Sequence, residues 1–191
     1  MTGLETERLL LRPPELRDVP VIARWIGDFD IAKNLSTAPH PYTEADARGF
    51  VERMAAARAR GESWSFAIVR KKDYRLIGCC GVHLKEGAYE VGYWLGKPFW
   101  NRGLTTEAAR RLLAFAFDEL QVESVWAGWF IDNPASGRVL EKLGFKPDGA
   151  EQRPCKARGH DVYCHKMTLT RDDFGRDKTA AKAAQTDAEA R

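Results

Sequence analysis

Apolar residues recur along this chain in two rhythms, one of two residues and one of three to four. The first short run, residues 8–12 (RLLLR), reads as a strand stopped by Pro13-Pro14. Over residues 15–27 the apolar positions Leu16, Val19, Ile22, Ala23 and Ile26 fall at helical spacing, so a helix is expected that starts late enough to accept Pro20. Thr43 opens a longer helix. Glu44 and Asp46 lie in its first turn and Gly61 lies beyond its basic end, which is the polarity a helix dipole favours.

The middle of the chain changes rhythm. Residues 64–70 (WSFAIVR) and 75–83 (RLIGCCGVH) flank the polar turn Lys71-Lys72-Asp73 and predict an antiparallel hairpin. Residues 88–95 (AYEVGYWL), after Gly87, predict a further strand. A strongly periodic apolar helix follows Trp100, and residues 124–130 (SVWAGWF) are apolar on both alternating faces, as in a buried parallel strand. Strand, helix and strand in that order predict a right-handed crossover. Residues 133–143 give a shorter helix, with Asn133 as its cap, Pro134 at its first position and Leu143-Gly144-Phe145 as its stop. Residues 161–170 (DVYCHKMTLT) supply a late strand. The fold class is therefore α/β, a mixed sheet of about six or seven strands with flanking helices.

Composition narrows this picture. The chain has 191 residues, 44% hydrophobic and 30% charged, which suits one compact domain, expected over residues 6–174. Residues 175–191 (GRDKTAAKAAQTDAEAR) have almost no large apolar side chain and are expected to be a disordered tail. A net charge of +3 is too mild to imply nucleic acid. No apolar run is long enough for a membrane span and the N-terminus shows no signal-peptide pattern, so a cytoplasmic protein is expected. Cys79, Cys80, Cys155 and Cys164 show no C-x-x-C spacing and are expected as reduced, packed thiols. Together with His83, His160 and His165 they fit no standard ligand set, and no metal is expected.

The candidate chemistry starts at the loop Asn101, Arg102, Gly103, Leu104, Thr105, Thr106. The first N–H groups of a helix lack intrahelical partners and carry partial positive charge, so they attract an anion. Gly103 lets backbone approach a phosphate, Thr105 is placed to cap the helix, and Arg102 adds a cation. The loop is neither a P-loop nor a dinucleotide fingerprint, since Gly-Lys-Ser/Thr and G-x-G-x-x-G are both absent.

These residues resemble the GNAT superfamily of acetyl-CoA-dependent N-acetyltransferases, in its RimJ/RimL-like branch. TERLLLRP is similar to the branch's opening, EVGYWLGKPFWNRGLTTEA to its strand and pyrophosphate loop, and NPASGRVLEKLGF to its second cofactor segment. In the superfamily motif Gln/Arg-x-x-Gly-x-Gly/Ala the marked positions fall on Trp100, Gly103 and Thr105, so only the central Gly matches. The resemblance implies splayed central parallel strands with the pantetheine arm in the gap, held by backbone near Tyr93, Trp94 and Leu95 and by Asn133. Gly92, inside its strand, fits a bulge or close approach at that gap. The resemblance also implies acetyl-CoA as cosubstrate and a primary amine, a protein N-terminus or a small molecule, as acceptor.

Glu90 is the expected base and Ser136 the expected donor to the thiolate, since the position that often carries a Tyr is Leu140 here. Deprotonating an α-amine at pH 7 costs only about 1 to 1.5 kcal/mol, against about 4 to 5 for lysine, so a modest base suffices for the former. Arg102, Arg110 and Arg138 are candidate phosphate partners and Trp25 a candidate acceptor-cleft wall. Residues 36–41 and 151–160 are expected as the loops that shape that cleft. A homodimer is compatible with the resemblance. The alternative reading is a non-catalytic acyl-CoA-binding regulatory module on the same fold.

Overall fold

The computed structural model describes residues 3–175. Residues 176–191, most of the expected tail, lie outside the described residues. Those described contain an eight-stranded sheet. It is built from β1 (Leu4–Glu5), β2 (Leu9–Arg12), β3 (Ser63–Arg70), β4 (Arg75–Lys85), β5 (Ala88–Leu95), β6 (Ser124–Phe130), β7 (Lys146–Cys155) and β8 (His160–Thr170). The spatial order is β1-β2-β3-β4-β5-β6-β8-β7. All neighbours are antiparallel except β5 and β6, which are parallel and pair only at Tyr89 with Val125 and at Glu90 with Trp126. Past that point residues 91–95 and 127–130 no longer pair with one another.

Helices cover both faces. α4 (Leu104–Asp118) and α5 (Pro134–Lys142) pack on the face that carries Val91 and Leu95 of β5 and Val125 and Ala127 of β6. Leu104, Ala108, Leu112, Phe115 and Leu140 form the buried side of those helices. The opposite face, with Ala67 and Cys79, lies under α1 (Val19–Ile26), the short α2 (Phe29–Ala32) and α3 (Glu44–Ala59) through Ile22, Ala32, Ala47 and Val51. Because strand residues alternate faces, Glu90, Gly92 and Trp94 belong to this second face and Tyr89, Val91 and Tyr93 to the first.

Most expected elements stand where the apolar rhythm put them. A 3-10 turn, Leu16–Asp18, precedes α1, so Pro20 falls in the first turn, where its missing N–H costs nothing. Asp18, 4% exposed, accepts both guanidinium nitrogens of Arg12 at 2.7 Å. Thr43 and Asp46 form a reciprocal capping box at the start of α3. All four cysteines are free and buried.

Three readings are corrected. The strand count rises above the expected six or seven because β1 has only two residues and β7 is a polar edge strand (KPDGAEQRPC) without apolar alternation. Residues 151–155 belong to β7, so only 156–159 form a loop where 151–160 was expected. Gly92 sits in regular register opposite Gly81; the register shifts occur between Ile68 and Val69 and between Pro147 and Ala150.

Phe115 is fully buried, edge-on to Phe66 at 5.4 Å and to Trp64 at 6.4 Å. Phe115→Ala is expected to destabilise the protein by about 3 to 5 kcal/mol, the usual cost of a truncated core aromatic, read as a lower urea midpoint.

Candidate active site

The loop before α4 has the backbone form of a cradle that suits an anion. Asn101 and Gly103 both have left-handed φ, 57° and 71°. Gly103, not Thr105, is the helix cap: its carbonyl accepts from Glu107 N at 3.0 Å and no side chain caps the turn. Thr105 is the second helical residue, so the expected cap is corrected. The N–H groups of Leu104, Thr105 and Thr106 therefore precede the helical ladder. Leu104 is buried and anchors the helix start in the core. Arg102 is exposed at the rim of the loop.

A residue that sequence reasoning missed completes this end. Arg8, from the start of β2, donates to the Arg102 carbonyl at 3.1 Å and to Glu107 Oε2 at 2.6 Å. A Cβ on Gly103 would stand 3.6 Å from Arg8 Nη2, which places the guanidinium beside the cradle. Glu107 also accepts from Thr6 Oγ1 and from Arg8 N at 2.9 Å. Burial works to raise the Glu107 pKa, but these hydrogen bonds outweigh it and hold the carboxyl below its ordinary value. Nothing in the spacing of Arg8 and Arg102 signals this contact, because it crosses 94 positions.

Next to the cradle lies the opening between β5 and β6. Tyr93 Oη stands 3.1 Å from Ser136 Oγ and donates to the Ser136 carbonyl at 3.2 Å. Burial pushes this phenol well above its ordinary pKa, so it stays protonated. Tyr93 was expected to offer only its backbone, yet its side chain places a hydroxyl beside Ser136, while Leu140 is fully buried in the core. Asn133 caps α5, its Oδ1 accepting from Ser136 N at 3.4 Å. Trp129 Nε1 is a buried donor without a partner. Its ring lies against Gly137 of α5, where an added Cβ would approach to 2.9 Å. Of the three expected backbone positions on β5, Leu95 already gives its carbonyl to Trp100 Nε1 at 2.7 Å. Trp94 faces the α1 and α3 side.

Glu90 occupies the closed end of the opening, at the last β5–β6 pair and on the face opposite to α5. Its Oε1 accepts from Arg153 Nη2 at 2.7 Å and its Oε2 lies 3.8 Å from Lys85 Nζ. Burial draws the Arg153 pKa down, and the Glu90 carboxylate more than offsets it. Arg153, Lys85 and Lys166 also surround the Trp126 ring at 5.2, 5.5 and 5.2 Å. At the outer rim the expected cleft loops meet, with Lys156 N donating to the Ser36 carbonyl at 3.1 Å. Trp25 does not line this rim; it packs over Gly96 and edge-on to Phe99 at 5.7 Å. Arg110 reaches the Lys142 carbonyl at the end of α5, and Arg138 is exposed.

Such a site suits a ligand with a polyanionic head at α4 and an extended amide arm in the opening. The buried, unpaired Trp129 donor stands on the α5 side of the opening, and Gly92, where a Cβ would meet nothing within 4 Å, leaves space on the opposite side.

Comparison with known proteins agrees. The description of the acetyltransferase (GNAT) domain matches residues 8–146. The uncharacterised N-acetyltransferase p20 of Bacillus licheniformis is 28% identical over 178 residues, which cover 91% of this chain and 99% of that protein. The probable N-acetyltransferase YjcK of Bacillus subtilis is 32% identical over 163 residues, 82% of this chain and 90% of the relative. Among solved structures, RimJ of Mycobacterium smegmatis in complex with CoA-disulfide superposes with a TM-score of 0.78 at 19% identity, covering 91% of this chain and 89% of that one. On this match and this fold, the chain belongs to the GNAT family of N-acetyltransferases and is an acyltransferase enzyme.

Proposed function

We propose that the protein transfers the acetyl group of acetyl-CoA to a primary amine, with a protein N-terminal α-amine or a small-molecule amine as acceptor. The observation that carries this reading is the start of α4 at Gly103, where no side chain caps the first N–H groups, set beside the point where β5 and β6 part. The pyrophosphate is received by the N–H groups of Leu104, Thr105 and Thr106, with Arg8 and Arg102 as flanking cations. The pantetheine arm takes the unpaired edges of residues 91–94 and 127–130, next to Trp129 and Asn133. That the solved RimJ neighbour holds a CoA disulfide supports this assignment.

In the reaction the amine nitrogen attacks the thioester carbonyl, the C–N bond forms and the C–S bond breaks. The amine loses a proton on the Glu90 side of the sheet. The departing thiolate receives a hydrogen bond from the hydroxyl pair Tyr93 and Ser136 on the other side and takes its proton from solvent, since burial makes this phenol a weaker acid and keeps its O–H in place to donate. Glu90 receives the acceptor: its carboxylate draws the amine toward the closed end of the opening, and Arg153 fixes its orientation through Oε1. A neutral attacking amine is cheaper to reach from an α-amine than from lysine. This favours a protein N-terminus over a lysine side chain.

Two outcomes test the reading. Gly103→Glu places a side chain and a like charge in the cradle, and calorimetry is expected to show CoA affinity at least tenfold weaker, about 1.4 kcal/mol or more. Glu90→Gln is expected to leave CoA affinity unchanged while lowering kcat/KM for the amine about 10- to 100-fold. CoA binding by the native protein with no acetyl transfer to peptides beginning with Ala or Ser, or to small primary amines, would instead leave a non-catalytic acyl-CoA-binding module.

A further inference from the structure

His83 is half-buried on the Glu90 face and has no part in the scheme above. It stands opposite Glu90 in the β4–β5 ladder and opposite Ser63 in the β3–β4 ladder, so the three side chains project to the same side. Its Nδ1 lies 2.6 Å from Ser63 Oγ. The Ser63 hydroxyl donates to Met54 Sδ at 3.5 Å, which leaves Oγ to accept. The 2.6 Å contact fits either ring tautomer; with the hydroxyl proton directed to Met54 Sδ, Ser63 Oγ accepts from Nδ1–H and the Nε2 lone pair is open, and a role as base requires this form. The ring leans along β4 over Gly81, where an added Cβ would come within 2.8 Å of Cε1 and Nε2. Gly81 pairs with Gly92, above which the space is open. The two glycines make a floor that runs from Nε2 to the place where β5 leaves β6.

We propose that His83 Nε2 is the base that accepts the proton of the acceptor amine, with Glu90 as the carboxylate that steadies the imidazolium so formed. The proposal rests on the acetyl-transfer reading. As the amine nitrogen bonds to the thioester carbon and the C–S bond breaks, the N–H proton passes to Nε2, Nδ1–H stays on Ser63 Oγ, and the proton later leaves to solvent. Glu90 is less free to take it, since Arg153 occupies Oε1 and Lys85 faces Oε2. The groups around the ring are Glu90 on β5, Lys85 on β4, Ser63 and Ser65 on β3, and Met54 on α3 through Ser63. Arg58 of α3 binds the Ser65 carbonyl, and Arg153 of β7 acts through Glu90. Burial lowers the His83 pKa and Glu90 pulls it back up, so the base is neutral at pH 7. Activity is then full above that pKa and falls as pH drops through it, with a midpoint below about 6.5.

The test is the pH dependence of turnover with acetyl-CoA and the best acceptor from the amine panel. A second acceptor of different amine pKa identifies the limb that does not move as the enzyme's. His83→Gln is expected to abolish that limb and lower kcat about 100-fold or more, with CoA affinity retained. Glu90→Gln is expected to keep the limb and move it to lower pH, because a neighbour that stabilises the imidazolium is gone. A limb that survives in His83→Gln and vanishes in Glu90→Gln would overturn the proposal and return the proton to Glu90. Nitrogen-15 spectra of histidine-labelled native protein read the ring without turnover. An unprotonated Nε2 at pH 7 is expected, and a protonated one overturns the proposal. If native protein acetylates no amine, the functional reading itself fails and the base falls with it; a failure confined to His83 leaves acetyl transfer intact.

Discussion

The constraint on which this molecule turns is that two parallel strands stop pairing after two residues. Unpaired backbone inside a protein is costly, and a sheet interrupted at its centre would ordinarily close or slip. Here each strand is held firmly from its outer side. β4 pairs with β5 from Lys85 opposite Ala88 to Gly78 opposite Leu95, and β8 pairs with β6 along all of Ser124–Phe130. The opening therefore costs each strand only one edge. Part of that edge is satisfied locally, as where Trp100 caps the Leu95 carbonyl. The rest is a ready template for the amides of an extended ligand, in the way an exposed strand edge accepts another chain.

An anion cradle of amides is useful only if the helix that presents it cannot drift. α4 is fixed in two ways. Its inner side, Leu104, Ala108, Leu112 and Phe115, is buried in the larger core. Its first turn is tied by Glu107 to Thr6 and Arg8, about a hundred positions earlier in the chain. The ion pair within that tie is partly exposed and is worth little as Coulomb energy. Its contribution is registration, since one carboxylate gathers a hydroxyl, a backbone N–H and a guanidinium, and the same guanidinium grips the loop carbonyl of Arg102. Apolar burial supplies the stability, and the polar tie sets where the amides point.

How much of this could be read beforehand depends on the range of the interaction. Elements with strong local rhythm were legible: the late start of α1 at Pro20, the opening of α3 at Thr43, the hairpin of β3 and β4, and the whole of β5 and β6. The cradle was legible because a Gly before an apolar helix is a local signal, although the cap was misplaced on Thr105. β7 escaped because an exposed edge strand with two prolines has no alternation to read. Arg8, the side chain of Tyr93 and the pairing of Glu90 with Arg153 escaped for another reason. Each joins residues distant in sequence, and only the sheet order puts them together.

That order also bears on the direction of the chemistry. Alternation places Glu90 and His83 on the α1 and α3 face, and Tyr93 with Ser136 on the α4 and α5 face. In the proposed reaction a proton is therefore withdrawn on one side of the sheet and the thiolate is met by hydroxyls on the other. The reacting carbon has to lie between them, in the opening itself, and the amine has to come from the Gly81 and Gly92 side. Glu90 is largely sheltered from solvent, and Arg153 pairs with it from β7. β7 and β8 lie beyond β6 from the cradle, and they carry Arg153 and Lys166 to Trp126. In that proposal the acceptor side stands on β4 and β5 at the centre of the sheet and is backed from its far edge by Arg153 and Lys166, so substitutions along β7 and its turn are expected to alter acceptor preference without disturbing the amides at Gly103.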